Sequence, residues 1–268
     1  MDNLTIAVTR FLTFEPSFSL RSQDSCKYAA ATMKFAVIVF PGSNCDDDLV
    51  HVLGKVMGRK TFKVWHKETE LPGIGTEDCV IVPGGFSYGD YVRAGAIARF
   101  SPIMSAVIDH ANRGGRVFGI CNGFQILCEA ELLPGALLRN SGQRFICQNQ
   151  YLRCESSDSE VTSLLTKGQV LNIPIAHAEG RYFTDAAGLA ELEANDQILF
   201  RYCGPNGEVT DEFNPNGSIS NIAGIRNKAG NVVGMMPHPD RCSEAILGNT
   251  DGKALFAGLI QTVEALAV

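Results

Sequence analysis

The stretch Arg116-Val117-Phe118-Gly119-Ile120-Cys121-Asn122-Gly123-Phe124-Gln125-Ile126-Leu127 decides how this chain is read. A short apolar run ends at Ile120 and a helix-like segment spans 124–131, so the turn between them joins a buried strand to a helix. Gly119-Ile120-Cys121-Asn122-Gly123 is then a nucleophile elbow with cysteine at its centre. Such a turn holds its central residue in a strained conformation with the reactive atom exposed above the sheet, and the flanking glycines give it room. The helix that follows presents partial positive charge, which favours the thiolate that attacks carbonyls. Free cysteine is also among the most buried residue types, so the elbow alone does not establish catalysis.

Outward from this turn the strand-then-helix pattern recurs. The run 34–40 is continuously apolar, the mark of a strand buried on both faces. After the loop Pro41-Gly42-Ser43-Asn44, segment 46–58 places Leu49, Leu53, Val56 and Met57 at helical spacing, with Asp46, Asp47 and Asp48 in its first turn. Segments 61–66 and 79–82 read as strands, and 97–112 as an amphipathic helix. Beyond Pro134 come strand-like runs at 145–154, 170–176 and 198–203, a hairpin pairing 222–226 with 232–236, and a closing helix over 251–267. The expected class is α/β: a mostly parallel, doubly wound sheet with helices on both faces and added antiparallel strands in the C-terminal half. Ligands in such folds gather at the carboxyl ends of the strands, so the loops after Val82 and Ile120 are expected to share one rim.

Composition narrows the field. Of 268 residues 45% are hydrophobic and 19% charged, with net charge −6, which is ordinary for a globular protein and gives no basic track for nucleic acid. No run of about 18 apolar residues occurs, so no membrane span is expected. The nine cysteines form no C-x-x-C pair and are odd in number, which argues against a disulfide framework and for a reducing compartment, the cytoplasm. Zinc sites draw on closely spaced ligand pairs, so no metal site is expected on this chain. Residues 1–32, rich in Ser, Thr and Phe without periodicity, read as an appended arm, either disordered or lying ahead of a start at Met33 and outside the native core.

A cysteine nucleophile needs a base, and histidine is the usual one. Of five histidines, His51 and His110 fall within helical segments and His66 ends a strand, positions that suit packing or solvation. His238, in Met235-Met236-Pro237-His238-Pro239-Asp240-Arg241, follows an apolar strand and is held between prolines, and Asp240 stands two residues on as an orienting carboxylate. His177, also at a strand end, ranks second.

Together the elbow in GICNGFQ, the loop PGGFSYGDYVRAGAIARF and MMPHPDR resemble the class I glutamine amidotransferases, over nearly the whole of 33–268. With KFAVIVFPGSNCD and AHAEGRYF, they are similar within that family to the glutaminase subunits of phosphoribosylformylglycinamidine synthases. The resemblance implies a triad of Cys121, His238 and Asp240, an oxyanion hole from the backbone of Gly85 and Asn122, and substrate contacts from Phe86 and Gln125. It implies hydrolysis of L-glutamine through a γ-glutamyl thioester in de novo purine biosynthesis. The partners implied are a large synthetase subunit, which would hold ATP and magnesium, and a small accessory subunit. This chain has no Walker A loop and no cofactor of its own is expected.

One residue departs from the family pattern, where the triad carboxylate is glutamate. Asp240 is shorter by a methylene, so its bond to His238 is expected to be long, bridged by water or made after a backbone shift, and Glu244 could reach in as a substitute if the segment coils. Asn44, Asp46, Tyr88 and Asp90 fall in matching stretches without an assigned chemistry, while Glu179 and Arg181 either line the rim or pair with each other. On the residues alone three other readings stay open: a cysteine hydrolase of similar build acting on another carbonyl, a scaffold subunit of weak activity, and transfer of ammonia to a different biosynthetic acceptor, which the length of the subfamily match disfavours.

Overall fold

The computed structural model describes residues 32–266; apart from Thr32, the arm expected over 1–32 lies outside the described residues. From the N-terminal side the chain forms β1 (Phe35–Val39), α1 (Asp46–His51), β2 (Thr61–Trp65), β3 (Cys79–Val82), α2 (Ile103–Asn112), β4 (Arg116–Ile120) and α3 (Asn122–Glu129). Then follow β5 (Ala136–Leu138), β6 (Ile146–Cys154), β7 (Val170–His177), β8 (Arg181–Phe183), α4 (Ala186–Ala194), β9 (Ile198–Tyr202), β10 (Ile222–Arg226), β11 (Val232–Met235) and α5 (Asp251–Leu266).

Nine strands make one sheet in the order β2-β1-β3-β4-β11-β10-β9-β6-β7, and β5 and β8 pair separately. From β2 to β11 neighbours run parallel; from β11 to β7 they run antiparallel, so the expected α/β sheet with added antiparallel strands is what forms. Strands β3 and β11 are buried along their whole length, and β4 along all but Arg116. Each Val or Ile buried there contributes about 1.5–3 kcal/mol relative to exposure. Phe124 of α3 stacks on Tyr182 of β8 at 5.9 Å, which ties α3 to the separate β5-β8 pair, and Phe118 of β4 meets Phe256 of α5 at 6.2 Å, which ties α5 to the main sheet.

Two helices differ from their sequence patterns. Segment 46–58 is α-helical only to His51 and continues as a π-helical turn, Val52–Val56, in which the Met57 N–H donates to Val52 O at 2.8 Å. The pattern over 97–112 yields a short 3₁₀ turn and then α2 from Ile103. Pro102 disfavours helical geometry at the residue before it, and Ser101 is extended, with φ −63° and ψ 141°.

Register positions the site. Val82 of β3 aligns with Gly119 of β4, and Ile120 of β4 with Met235 of β11. The chain leaving those three parallel strands therefore emerges at one edge: Pro83 to Gly85, Cys121, and Met236 to His238.

Candidate active site

Cys121 caps α3 with φ 52° and ψ −109°, a conformation that costs a non-glycine residue on the order of 1–3 kcal/mol. Surrounding bonds hold it there. Its N–H donates to Met235 O at 2.8 Å, and α3 packs so closely on β3 that a Cβ at Gly123 would lie 1.9 Å from Val82 O. The thiol faces Ala176 O at 3.7 Å.

His238 arrives at the same point from β11. Its N–H donates to Pro174 O of β7 at 2.8 Å, and its side chain is buried. A Cβ at Gly84 would lie 2.8 Å from His238 Cε1, 3.0 Å from Cys45 Sγ and 3.4 Å from Cys121 Cβ, so three side chains converge where only a glycine fits. Burial opposes a charge on the imidazole, but the neighbouring Cys121 and Asp240 outweigh it and push its pKa well above the usual histidine value. The Nε2 atom makes no hydrogen bond; catalytic bonds are often loose before substrate arrives.

Asp240 Oδ1 lies 3.5 Å from His238 Nδ1. That is an ion-pair distance, beyond a formed N–H···O bond, and both Asp240 oxygens are buried without a hydrogen-bond partner. Of the outcomes expected of the shorter carboxylate, the contact is the long one. Glu244 does not replace it: it bonds His51 Nε2 at 2.8 Å near the surface, because the chain turns outward after Ser243.

The loop after β3 closes over the elbow through the Asn122 side chain. Asn122 Oδ1 accepts the Ser87 N–H at 3.0 Å, and Nδ2 donates to Gln125 Oε1 at 2.8 Å and to Asp90 Oδ1 at 3.5 Å. Gln125 is buried rather than on the helix surface, and its amide donates to Glu179 O at 2.6 Å. Glu179 accepts the Ala94 N–H at 3.1 Å, which fastens it to the loop after β3, and its ion pair is with Arg139 at 3.9 Å and not with Arg181. Burial, together with the charge of Glu179, raises the Asp90 carboxyl to about 6.

Gly85 has φ 143°, and a Cβ there would lie 2.7 Å from Asn44 N. The Ser43–Gly85 bridge is bonded through Phe86 N–H to Gly42 O and Asn44 N–H to Gly84 O, which leaves the Gly85 N–H out of the ladder. The Asn122 N–H opens α3 and has no intrahelical acceptor. A cavity of about 220 Å³, smaller than sites for large ligands, is lined by Cys45, Gly85, Phe86, Cys121, Phe145 and His238. The exposed rings of Phe86 and Phe145 lie 6.4 Å apart.

The remaining histidines are occupied elsewhere. His177 is buried against Asn140 Oδ1 at 3.2 Å, and burial, with the charge of His238, lowers its pKa to about 4. His66 meets the Tyr88 hydroxyl at 2.7 Å and His110 meets Arg116 O at 3.2 Å. Asp46 pairs with Lys63 at 2.7 Å. Two residues at the site lie in the quoted stretches KFAVIVFPGSNCD and MMPHPDR but carried no expectation of their own: Cys45, whose Sγ lies 3.9 Å from His238 Nδ1, and Arg241, whose Nη2 donates to Cys45 Sγ at 3.1 Å. They come from opposite ends of the chain.

Residues 32–255 match the CobB/CobQ-like glutamine amidotransferase domain. The chain belongs to that family. As a glutamine amidotransferase it is 60% identical over 228 residues to phosphoribosylformylglycinamidine synthase subunit PurQ of Moorella thermoacetica, covering 85% of this chain and 95% of the relative. The subunit of the same name from Salinibacter ruber is 55% identical over 234 residues, covering 87% and 98%. Among solved structures, a chain of PurLQS from Thermotoga maritima superposes with a TM-score of 0.75 at 40% identity, covering 87% of this amidotransferase and 99% of that chain.

Proposed function

We propose that this chain is the glutaminase subunit of phosphoribosylformylglycinamidine synthase, hydrolysing L-glutamine and passing ammonia to a synthetase subunit. The observation that carries the reading is the convergence of a strained Cys121 with His238 and Asp240 at one edge of the sheet, in a chain 60% identical to a subunit of that enzyme.

The Cys121 thiolate attacks the side-chain amide carbon of glutamine. The oxygen becomes an oxyanion, for which the N–H groups of Gly85 and Asn122 are the free donors; losing one such donor typically costs about 10²- to 10³-fold in rate. Protonated His238 gives its proton to the departing nitrogen, ammonia leaves, and a γ-glutamyl thioester remains on Cys121. Neutral His238 then takes a proton from water, hydroxide attacks the thioester, and glutamate is released as the thiolate reforms. Asp240 orients the imidazole and balances its charge. Phe86 and Phe145 flank the entrance, and Gln125, the other expected substrate contact, is held by Asn122 and the Glu179 carbonyl. ATP and magnesium belong on the synthetase, and an accessory small subunit completes the complex.

The 3.5 Å contact of Asp240 favours one variant of this reading, a glutaminase of low intrinsic rate. Among the described residues no helix is long and apolar enough to cross a membrane. A cytoplasmic location goes with the biosynthetic role proposed. A glutamine analogue carrying an alkylating group tests the substrate: peptide mass mapping should find one adduct, on Cys121, blocked by excess glutamine. Alkylation insensitive to glutamine would favour a hydrolase of another carbonyl.

A further inference from the structure

We propose that Cys45, His238 and Asp240 form a binding site for a zinc-class transition-metal ion. Cys45 Sγ lies 3.9 Å and Asp240 Oδ1 3.5 Å from His238 Nδ1, and one ligand atom from each residue lies within 4.8 Å of the others. In a tetrahedral zinc site with Zn–S about 2.3 Å and Zn–N about 2.0 Å, sulfur and nitrogen stand about 3.5 Å apart, so the cluster is close to coordination size.

A second observation points the same way: both Asp240 oxygens are buried with no hydrogen-bond donor, and their ion-pair contact is the His238 imidazole at 3.5 Å, a cost that direct coordination to a metal ion relieves. The ligand set of one thiolate, one imidazole and one carboxylate suits zinc or cobalt and not magnesium. Closely spaced pairs along the sequence do not build this site; Cys45 and His238 are 193 residues apart. Binding releases the protons of Cys45 Sγ and His238 Nδ1 to solvent and displaces the Arg241 guanidinium from the sulfur. Arg241 keeps a partner in Asp48, 3.3 Å from its Nε.

Metal binding stands on this geometry alone, while its consequence rests on the glutaminase reading. Coordination through Nδ1 leaves the proton on Nε2 of His238, so the imidazole cannot accept one from Cys121 or water, and hydrolysis stops until the ion leaves.

The test titrates Co²⁺ into the full chain and follows the thiolate-to-cobalt charge-transfer band. One ion per chain is expected, with the band retained in Cys121→Ser, lost in Cys45→Ser, and affinity lowered at least about 10-fold in Asp240→Asn. Zn²⁺ should displace the cobalt, and Mg²⁺ should not. Thermal melts of each variant show whether it is folded, and Asp240→Asn decides the matter if Cys45→Ser is not. A band that persists in Cys45→Ser, one that follows Cys121, or no stoichiometric binding overturns the proposal. In the assembled synthetase complex, Zn²⁺ should suppress glutamine hydrolysis reversibly with a chelator. Binding without suppression contradicts the consequence and leaves the site standing.

Discussion

The carboxylate of Asp240 stands 3.5 Å from Nδ1 of His238, close enough to balance a charge and too far to make a good hydrogen bond, with both oxygens sealed from water. Restoring the missing methylene should close this gap. Asp240→Glu is expected to raise the rate of glutamine hydrolysis by about 10-fold, part of the about 10²-fold that a misplacement near 1 Å can cost. Steady-state rates in the assembled complex check it, alongside a melt, because the added methylene enters a packed site where overpacking costs about 1–3 kcal/mol. A folded variant with an unchanged or lower rate would count against this role for Asp240.

Asn122 holds the loop after β3 onto the elbow through two side-chain bonds, to the Ser87 N–H and to Asp90, and a third braces Gln125 one turn on in α3. Asn122→Ala should destabilise the fold by about 1–3 kcal/mol, since it leaves buried groups unpaired, and should slow hydrolysis. Asn122→Asp keeps the acceptor for the Ser87 N–H but places a charge beside Asp90. Partial recovery of stability without recovery of rate is the expected pattern in denaturant melts and rate assays.

Gly85→Ala puts a Cβ within 2.7 Å of Asn44 N at a φ of 143°, so the peptide that carries the free N–H must turn. The rate should fall by about 10²-fold or more, with KM for glutamine changing far less, because an oxyanion donor acts in the transition state. An equal rise in KM at constant kcat would assign Gly85 to substrate binding instead.

His177 gives a pH signature. Burial holds its folded pKa at about 4, below the ordinary 6.5, so between these values the unfolded chain binds a proton the folded chain refuses. Stability therefore falls as pH drops through that window, by about 3 kcal/mol in full. Asp90, raised to about 6, acts in the opposite sense, so the useful quantity is wild type minus His177→Gln. The difference in melting temperature between the two should change steadily between about pH 6.5 and pH 4 and level off outside it; a flat difference would contradict a neutral buried His177.

Much of this was legible in the sequence for identifiable reasons. Strands β3, β4 and β10 match their apolar runs end to end because Gly, Pro or Asn punctuates each of them. The elbow was legible because its strain is written as two glycines around Cys121. Helix α2 was misjudged by one proline: the apolar spacing continues back to Ile97, but Pro102 keeps Ser101 extended and cuts the helix at Ile103. The environment of His238 was only half readable. Asp240 is two residues away, whereas Cys45 and Arg241 meet across 196 residues, a proximity that depends on how the β1 loop folds beside β11.

The central claim is that Cys121 takes ammonia from glutamine for a partner that consumes it. The most direct measurement is product formation by the assembled synthetase complex carrying Cys121→Ala, supplied in parallel with glutamine and with an ammonium salt. Glutamine-supported synthesis should fall by at least about 10³-fold while ammonium-supported synthesis persists. Glutamine-supported synthesis at the wild-type rate would contradict that claim.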